Sequence, residues 1–237
     1  MELLELQIVQ QNRISREKIN VFTEIILKNK ASTNEFYTSN LTKLSKLLTA
    51  FHATLVTVLA VLACFLGPWP FTDPGGPNTT LQCVVLVTSL GYFIFDFIWC
   101  LYHQTEGATM LIHHAVSIIA ISRVLMKGVS GTEAVAGVGG LEITNPLLQA
   151  RWFLRSSGYK GTVVFYLTEI TFMLTFFAMR IILGSYLFFA VVSHPQPDFE
   201  SKVYCTAFYV LSWVFMIYIL QYFRMKYLSF SLNTSKE

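Results

Sequence analysis
Apolar residues in this chain gather into long uninterrupted blocks separated by short polar turns, with no sustained two-residue alternation. Residues 1–46 are the exception, mixed in charge and carrying Arg13, Arg16, Lys18, Lys28, Lys30, Lys43 and Lys46. Within them Leu3, Leu4 and Leu6, and Ile25, Ile26 and Leu27, would line one side of short amphipathic helices. At residue 47 the texture changes. Residues 47–67 are an uncharged run of 21 residues, about 31 Å long as an α-helix, which matches the hydrocarbon thickness of a bilayer. This is span A. Pro68-Trp69-Pro70 ends it, and a loop rich in Pro and Gly continues to Thr80. Span B covers residues 81–102 with one acid, Asp96, inside it, and the turn 103–108 leads into span C, 109–127. Residues 131–144 are short, glycine-rich and carry Glu133 and Glu142, yet read as span D. Asn145-Pro146 breaks it, and residues 147–157, with Arg151 and Arg155, read as an amphipathic helix at the interface. Span E runs from 162 to 193, longer than one upright crossing needs, so a tilt or a kink near Gly184 is expected. Span F covers 203–223. The expected organisation is a polar cytoplasmic segment (1–46), one membrane domain (47–225) and a polar tail (226–237).

Composition agrees with a membrane protein. Residues are 54% hydrophobic and 13% charged, about half the charge of an ordinary soluble domain, and mean hydropathy is +0.53. A net charge of +3, scattered along the chain, argues against nucleic acid as a partner. The 4 cysteines, Cys64, Cys83, Cys100 and Cys205, lie inside apolar runs without paired spacing and read as small packing residues. Glu2 and Glu5 interrupt the opening apolar residues before any signal-peptide core forms. No phosphate-binding or dinucleotide pattern surrounds Gly137, Gly139 and Gly140, which read as permitting close helix approach, so no cofactor is expected. No retention or lipidation signal selects among endoplasmic reticulum, Golgi and plasma membrane.

Basic residues set the expected orientation, because short cytoplasmic loops accumulate Lys and Arg. They crowd into residues 1–46, the segment with Arg151, Arg155 and Lys160, and the tail with Arg224 and Lys226. The loop after A has none; Lys127 is the one awkward charge on the other side. Six spans with both termini cytosolic fit this distribution, and Asn78-Thr79-Thr80 becomes a lumenal glycosylation sequon lying very close to span B.

That orientation puts the ionisable residues inside the spans at one depth. His52, Asp96, His113, His114, Glu142 and Glu169 all fall within roughly 10 Å of the cytosolic face at 1.5 Å per residue. Tyr92, Asp96, Trp99 and His103 recur on one stripe of span B. Ionisable groups in a bilayer are costly and normally face a bundle interior or a wet cavity, so a polar-lined pocket open to the cytosol is expected. His52 or Glu169 taken singly reads as satisfying a neighbouring helix, and Trp99 and Tyr102 as interface anchors. The candidate ligand-binding set is His52, Tyr92, Asp96, His113, His114 and Glu142, with His113, His114 and Asp96 as candidate catalytic groups. Adjacent histidines point about 100° apart on a helix, so no metal site is expected. Arg180, past the middle of span E, needs an acid or a water layer.

The stretch from Gly91-Tyr92-Phe93 through Asp96, and on to Glu106-Gly107-Ala108-Thr109-Met110-Leu111-Ile112-His113-His114, resembles the TLC family. Phe51-His52-Ala53 resembles the family's first helix, and Gly67-Pro68-Trp69-Pro70, Glu142-Ile143-Thr144-Asn145-Pro146 and Arg151-Trp152-Phe153-Leu154-Arg155 resemble one branch of it. The resemblance covers residue 47 to about 225. It implies an all-α bundle of six transmembrane helices around a central cavity, with membrane lipids as partners, in lipid handling, sensing or homeostasis. In the ceramide synthases of the family, paired histidines and a downstream aspartate belong to an acyl-transfer site. Those enzymes carry His-Asp and a further Asp in the following helix, where this chain reads Leu141-Glu142-Ile143-Thr144-Asn145. The resemblance therefore carries His113 and His114 over as cavity residues without a catalytic role, and the expectation leans away from an enzyme; an acyl-CoA-dependent acyltransferase is the alternative. The matching branch also has a hydrophobic helix ahead of span A, which residues 1–46 do not supply.

Overall fold
The computed structural model describes residues 39–228. The amphipathic helices expected before residue 39 lie outside the described residues.

The described elements are α1 (Ser39–Leu66), α2 (Thr80–His103), α3 (Ala108–Lys127), α4 (Gly131–Glu142), α5 (Asn145–Ser156), α6 (Val163–Ser193) and α7 (Phe199–Tyr227). Five of these, α1, α2, α3, α6 and α7, are long and apolar enough to cross a membrane. With 12 residues, α4 reaches only about 18 Å and cannot cross 30 Å of hydrocarbon alone.

The two ends of the bundle nevertheless fix the path. At one, the loop end, the 68–80 loop meets the α3–α4 turn: Asn78 N donates to Gly128 O at 2.9 Å and Ser130 N to Gly76 O at 2.9 Å. Lys127 Nζ reaches Asp198 Oδ2 at 2.5 Å there, so the α6–α7 turn lies at the same end. At the other, the tail end, Glu169 near the start of α6 binds Lys226 at the end of α7. The chain therefore leaves α3 at the loop end and begins α6 at the tail end. Residues 131–162 make that passage, with α4 and α5 in series.

Local chemistry explains the boundaries. Thr79 caps α2 in a reciprocal box: Gln82 N donates to Thr79 Oγ1 and Thr79 N to Gln82 Oε1. The Gln82 amide then reaches across to Thr132 Oγ1 at 3.1 Å, joining α2 to α4. The break between α4 and α5 is only Ile143 and Thr144, because Pro146 sits in the first turn of α5, where its missing N–H costs nothing. Helix α7 begins ahead of span F: Asp198 caps it, accepting from Ser201 N at 2.9 Å. The Lys127 ammonium and the Ser201 donors hold the Asp198 carboxyl down at about 2. Glu200 takes Arg123 through two bonds and also faces Lys127. Lys127, the one basic residue that looked out of place at this end, is thus ion-paired.

The core is a seam of α1, α2, α3 and α4: Val56, Ala60 and Ala63 pack with Val85, Leu86 and Phe93, Ile121 and Val124, and Val135 and Val138. Outward faces are as apolar as the core, with Phe65 73% and Met126 77% exposed. Such a surface suits hydrocarbon, where helices satisfy their own backbone. Of Gly137, Gly139 and Gly140, Gly139 alone permits the close helix approach expected: a Cβ there would lie 2.7 Å from the Ala60 Cβ of α1. Gly137 and Gly140 have nothing within 4 Å of a built Cβ. Span E carries a wide π-helical segment, Phe177–Leu183, that ends at Gly184.

Candidate functional site
The polar stripe of α2 and the histidines of α3 meet as the spacing predicts. His114 Nε2 lies 3.2 Å from Asp96 Oδ2. The His52 ring stacks on Tyr92, with centroids 3.9 Å apart, and the Tyr92 hydroxyl donates to Thr49 Oγ1 at 2.9 Å. His52, Tyr92, His113, His114 and Glu142 are buried, and Asp96 is half-buried. Ser117 Oγ donates to the His113 carbonyl at 2.8 Å, and the His113 ring packs edge-on against Phe93, Phe208 and Phe215. Glu142 is engaged by Asn145 Nδ2 at 3.0 Å. Among the described residues, His52 Nε2, His113 Nδ1 and His114 Nδ1 are buried without a hydrogen-bond partner. His114 Nδ1 lies opposite the nitrogen facing Asp96.

Cys100 lies one turn beyond Asp96 on α2. A Cys100, Asp96 and His114 donor atom all fall within 4.8 Å of one another. Sequence reasoning compared only the adjacent histidines and passed over this trio. It offers three ligands to a divalent ion, one short of a closed tetrahedral site.

The cavity is elsewhere. A space of about 150 Å³ opens between α3, α4, α6 and α7, in the half of the bundle nearer the loop end. Ala120, Val138, Leu183, Leu187 and Phe208 give it apolar walls; Arg180, Glu133 and a few hydroxyls supply its polar points. None of His52, Tyr92, Asp96, His113, His114 or Glu142 lines it. Phe93 does, and its ring lies 6.0–6.3 Å from those of His52, His113 and His114. The histidine layer, where aromatic rings pack against the imidazoles, is thus next to this space and shares Phe93 with it.

Glu169 belongs to neither part. Fully buried, it accepts from Arg151 Nε at 2.7 Å, Tyr222 OH at 2.8 Å and Tyr227 OH at 2.6 Å, and it pairs with Lys226. This joins α5, α6 and α7, and brings Lys226 and Tyr227, expected in a free tail, into the bundle. Arg180 departs from expectation too. Among the described residues no carboxylate lies within 4 Å of it; Nη2 donates instead to Leu141 O at 2.8 Å.

Apolar outward faces, five helices long enough to cross a bilayer among the described residues, and ionisable residues turned inward define a multi-pass membrane protein. The sequence pattern of the TLC domain (TRAM, LAG1 and CLN8 proteins) matches residues 45–229, and the chain belongs to that family.

Proposed function
We propose that this protein handles a membrane lipid, holding it in the cavity between α3, α4, α6 and α7 without transforming it. The observation that carries this reading is the separation of space from chemistry. An apolar cavity bounded by four helices accepts hydrocarbon, while His114 and Asp96 lie behind Phe93 and do not line it. The His-Asp and Asp positions of the family's acyltransferases are Leu141-Glu142 and Asn145 here, which supports the same conclusion. The tail end, with Arg151, Arg155, Lys160, Arg224 and Lys226, faces the cytosol in this reading, and residues 68–80 are lumenal or extracellular. Deleting the protein is expected to change the abundance of one lipid class in its host membrane. Restoration of that abundance by wild type and equally by His114→Ala would support handling without catalysis; an unchanged lipid inventory would refute it.

One observation favours a second reading. With Asp96 3.2 Å from its Nε2, His114 has an orienting carboxylate and a free Nδ1. As an acyltransferase, that nitrogen would take the proton from an amine or hydroxyl attacking the acyl-CoA thioester carbonyl, and the coenzyme A thiol would leave. Purified protein would then turn over acyl-CoA, and His114→Ala would abolish it. No turnover across sphingoid and lysolipid acceptors excludes this reading.

A further inference from the structure
Arg180 lies 17 residues beyond Val163 and 13 before Ser193, about 25 Å and 20 Å along α6, and so near the middle of the bilayer. It is 8% exposed. A guanidinium there persists only if the protein or a ligand compensates its charge. The protein's share is made without an ion pair. Nη2 donates to Leu141 O, and the Phe176 ring lies 4.8 Å beneath the guanidinium carbon. Among the described residues Nε is buried with no hydrogen-bond partner. Glu142, the residue after Leu141, spends an oxygen on Asn145 and acts on Arg180 through its charge, with no carboxylate–guanidinium contact within 4 Å. Glu133, the acid that lines the cavity, is eight residues from Leu141 along α4, about 12 Å away. Arg180 itself lines the cavity, whose neighbouring walls are apolar.

We infer that Arg180 is the anion-recognition group of this cavity, and that its ligand is a single-chain amphiphile with a carboxylate or phosphate head. This rests on the reading of the cavity as a lipid site. A guanidinium offers a planar fork matched to both anions, and excluding water strengthens the pairing. A space of about 150 Å³ holds a short length of one chain and no second chain beside it.

The test uses the full-length protein in detergent with decanoate, decyl phosphate and the neutral decanol as probes, binding being read by calorimetry. Wild type is expected to bind at least one anionic probe about ten-fold or more tighter than decanol, and the two anions identify which head is preferred. Arg180→Gln should reduce that ratio to about one while decanol still binds. Should Arg180→Gln not fold, Arg180→Lys keeps the charge, loses the fork and is expected to lower the ratio at least three-fold. A ratio unaltered in the Arg180 variants, or equal binding of all probes by wild type, overturns the anion site and leaves the cavity reading standing. If no probe binds wild type, both readings fall.

Discussion

Replacing Glu169 tests how the tail end of the bundle is held. Its carboxylate is fully buried and receives Arg151, Lys226, Tyr222 and Tyr227, so one side chain secures α5, α6 and α7. Hydrogen bonds to a charged group contribute about 1.5–3 kcal/mol each, and neutral ones nearer 1 kcal/mol. The Arg151 and Lys226 side chains are 21% and 24% exposed, so each can turn towards the headgroups when its partner goes. That puts the charged bonds at the low end of their range. Glu169→Leu is then expected to cost roughly 4 kcal/mol, and Glu169→Gln, which keeps shape and some bonding, about half as much. At about 2–4 °C per kcal/mol for a domain of this size, thermal unfolding in detergent should shift down by roughly 8–16 °C for the leucine variant. Adding Arg151→Leu to Glu169→Leu should cost less than the sum of the two, because the orphaned cation goes with its partner. A melting point within about 2 °C of wild type, or strict additivity in the double variant, would refute the reasoning.

Asp96→Leu and His114→Leu should likewise be coupled, by about 0.5–3 kcal/mol in a double-mutant cycle read by thermal unfolding; strictly additive losses would mean that the 3.2 Å contact carries no energy. Gly139→Ala is expected to lose about 1–3 kcal/mol against Ala60, while Gly137→Ala, whose Cβ meets nothing within 4 Å, stays within about 0.5 kcal/mol or gains slightly, as the same unfolding assay would report. Asn78 donates to Val124 O at 3.1 Å and accepts from Gly131 N at 2.7 Å, so its sequon should carry no glycan; glycosidase treatment should leave gel mobility unchanged, and Asn78→Ala should lower the melting point.

Much of the bundle was legible because hydropathy reports directly on where a chain meets hydrocarbon. The runs 81–102 and 109–127 fall within a residue or two of α2 and α3. Hydropathy does not report where a helix begins in water, however, so α7 starts at Phe199 behind an aspartate cap, ahead of the apolar run. The shortness of α4 was visible; its crossing in series with α5 was not, since that follows from which ends meet through Asn78, Lys127 and Glu169. Helical periodicity and the short turn between α2 and α3 predicted the Asp96–His114 contact. Depth along a helix places a residue vertically and leaves its neighbours undetermined. Hence depth alone did not show that Phe93 would stand beside both the imidazoles and the space between α3, α4, α6 and α7. The same limit applied to Arg180, whose partner is a backbone carbonyl, a contact that no residue-type pattern announces.

The central claim, that the apolar cavity of this TLC bundle holds lipid, is tested most directly by a mass-spectrometric inventory of lipids retained by purified wild type and by Gly137→Phe. Gly137 lines the cavity with open space at its Cβ, so a phenyl ring there fills the cavity while sparing the close contact at Gly139. The account predicts one lipid class enriched on wild type relative to the surrounding membrane, and reduced at least five-fold on Gly137→Phe at equal protein and unchanged fold. Retained lipids that mirror the bulk membrane, or an enrichment that survives the filled cavity, would contradict it.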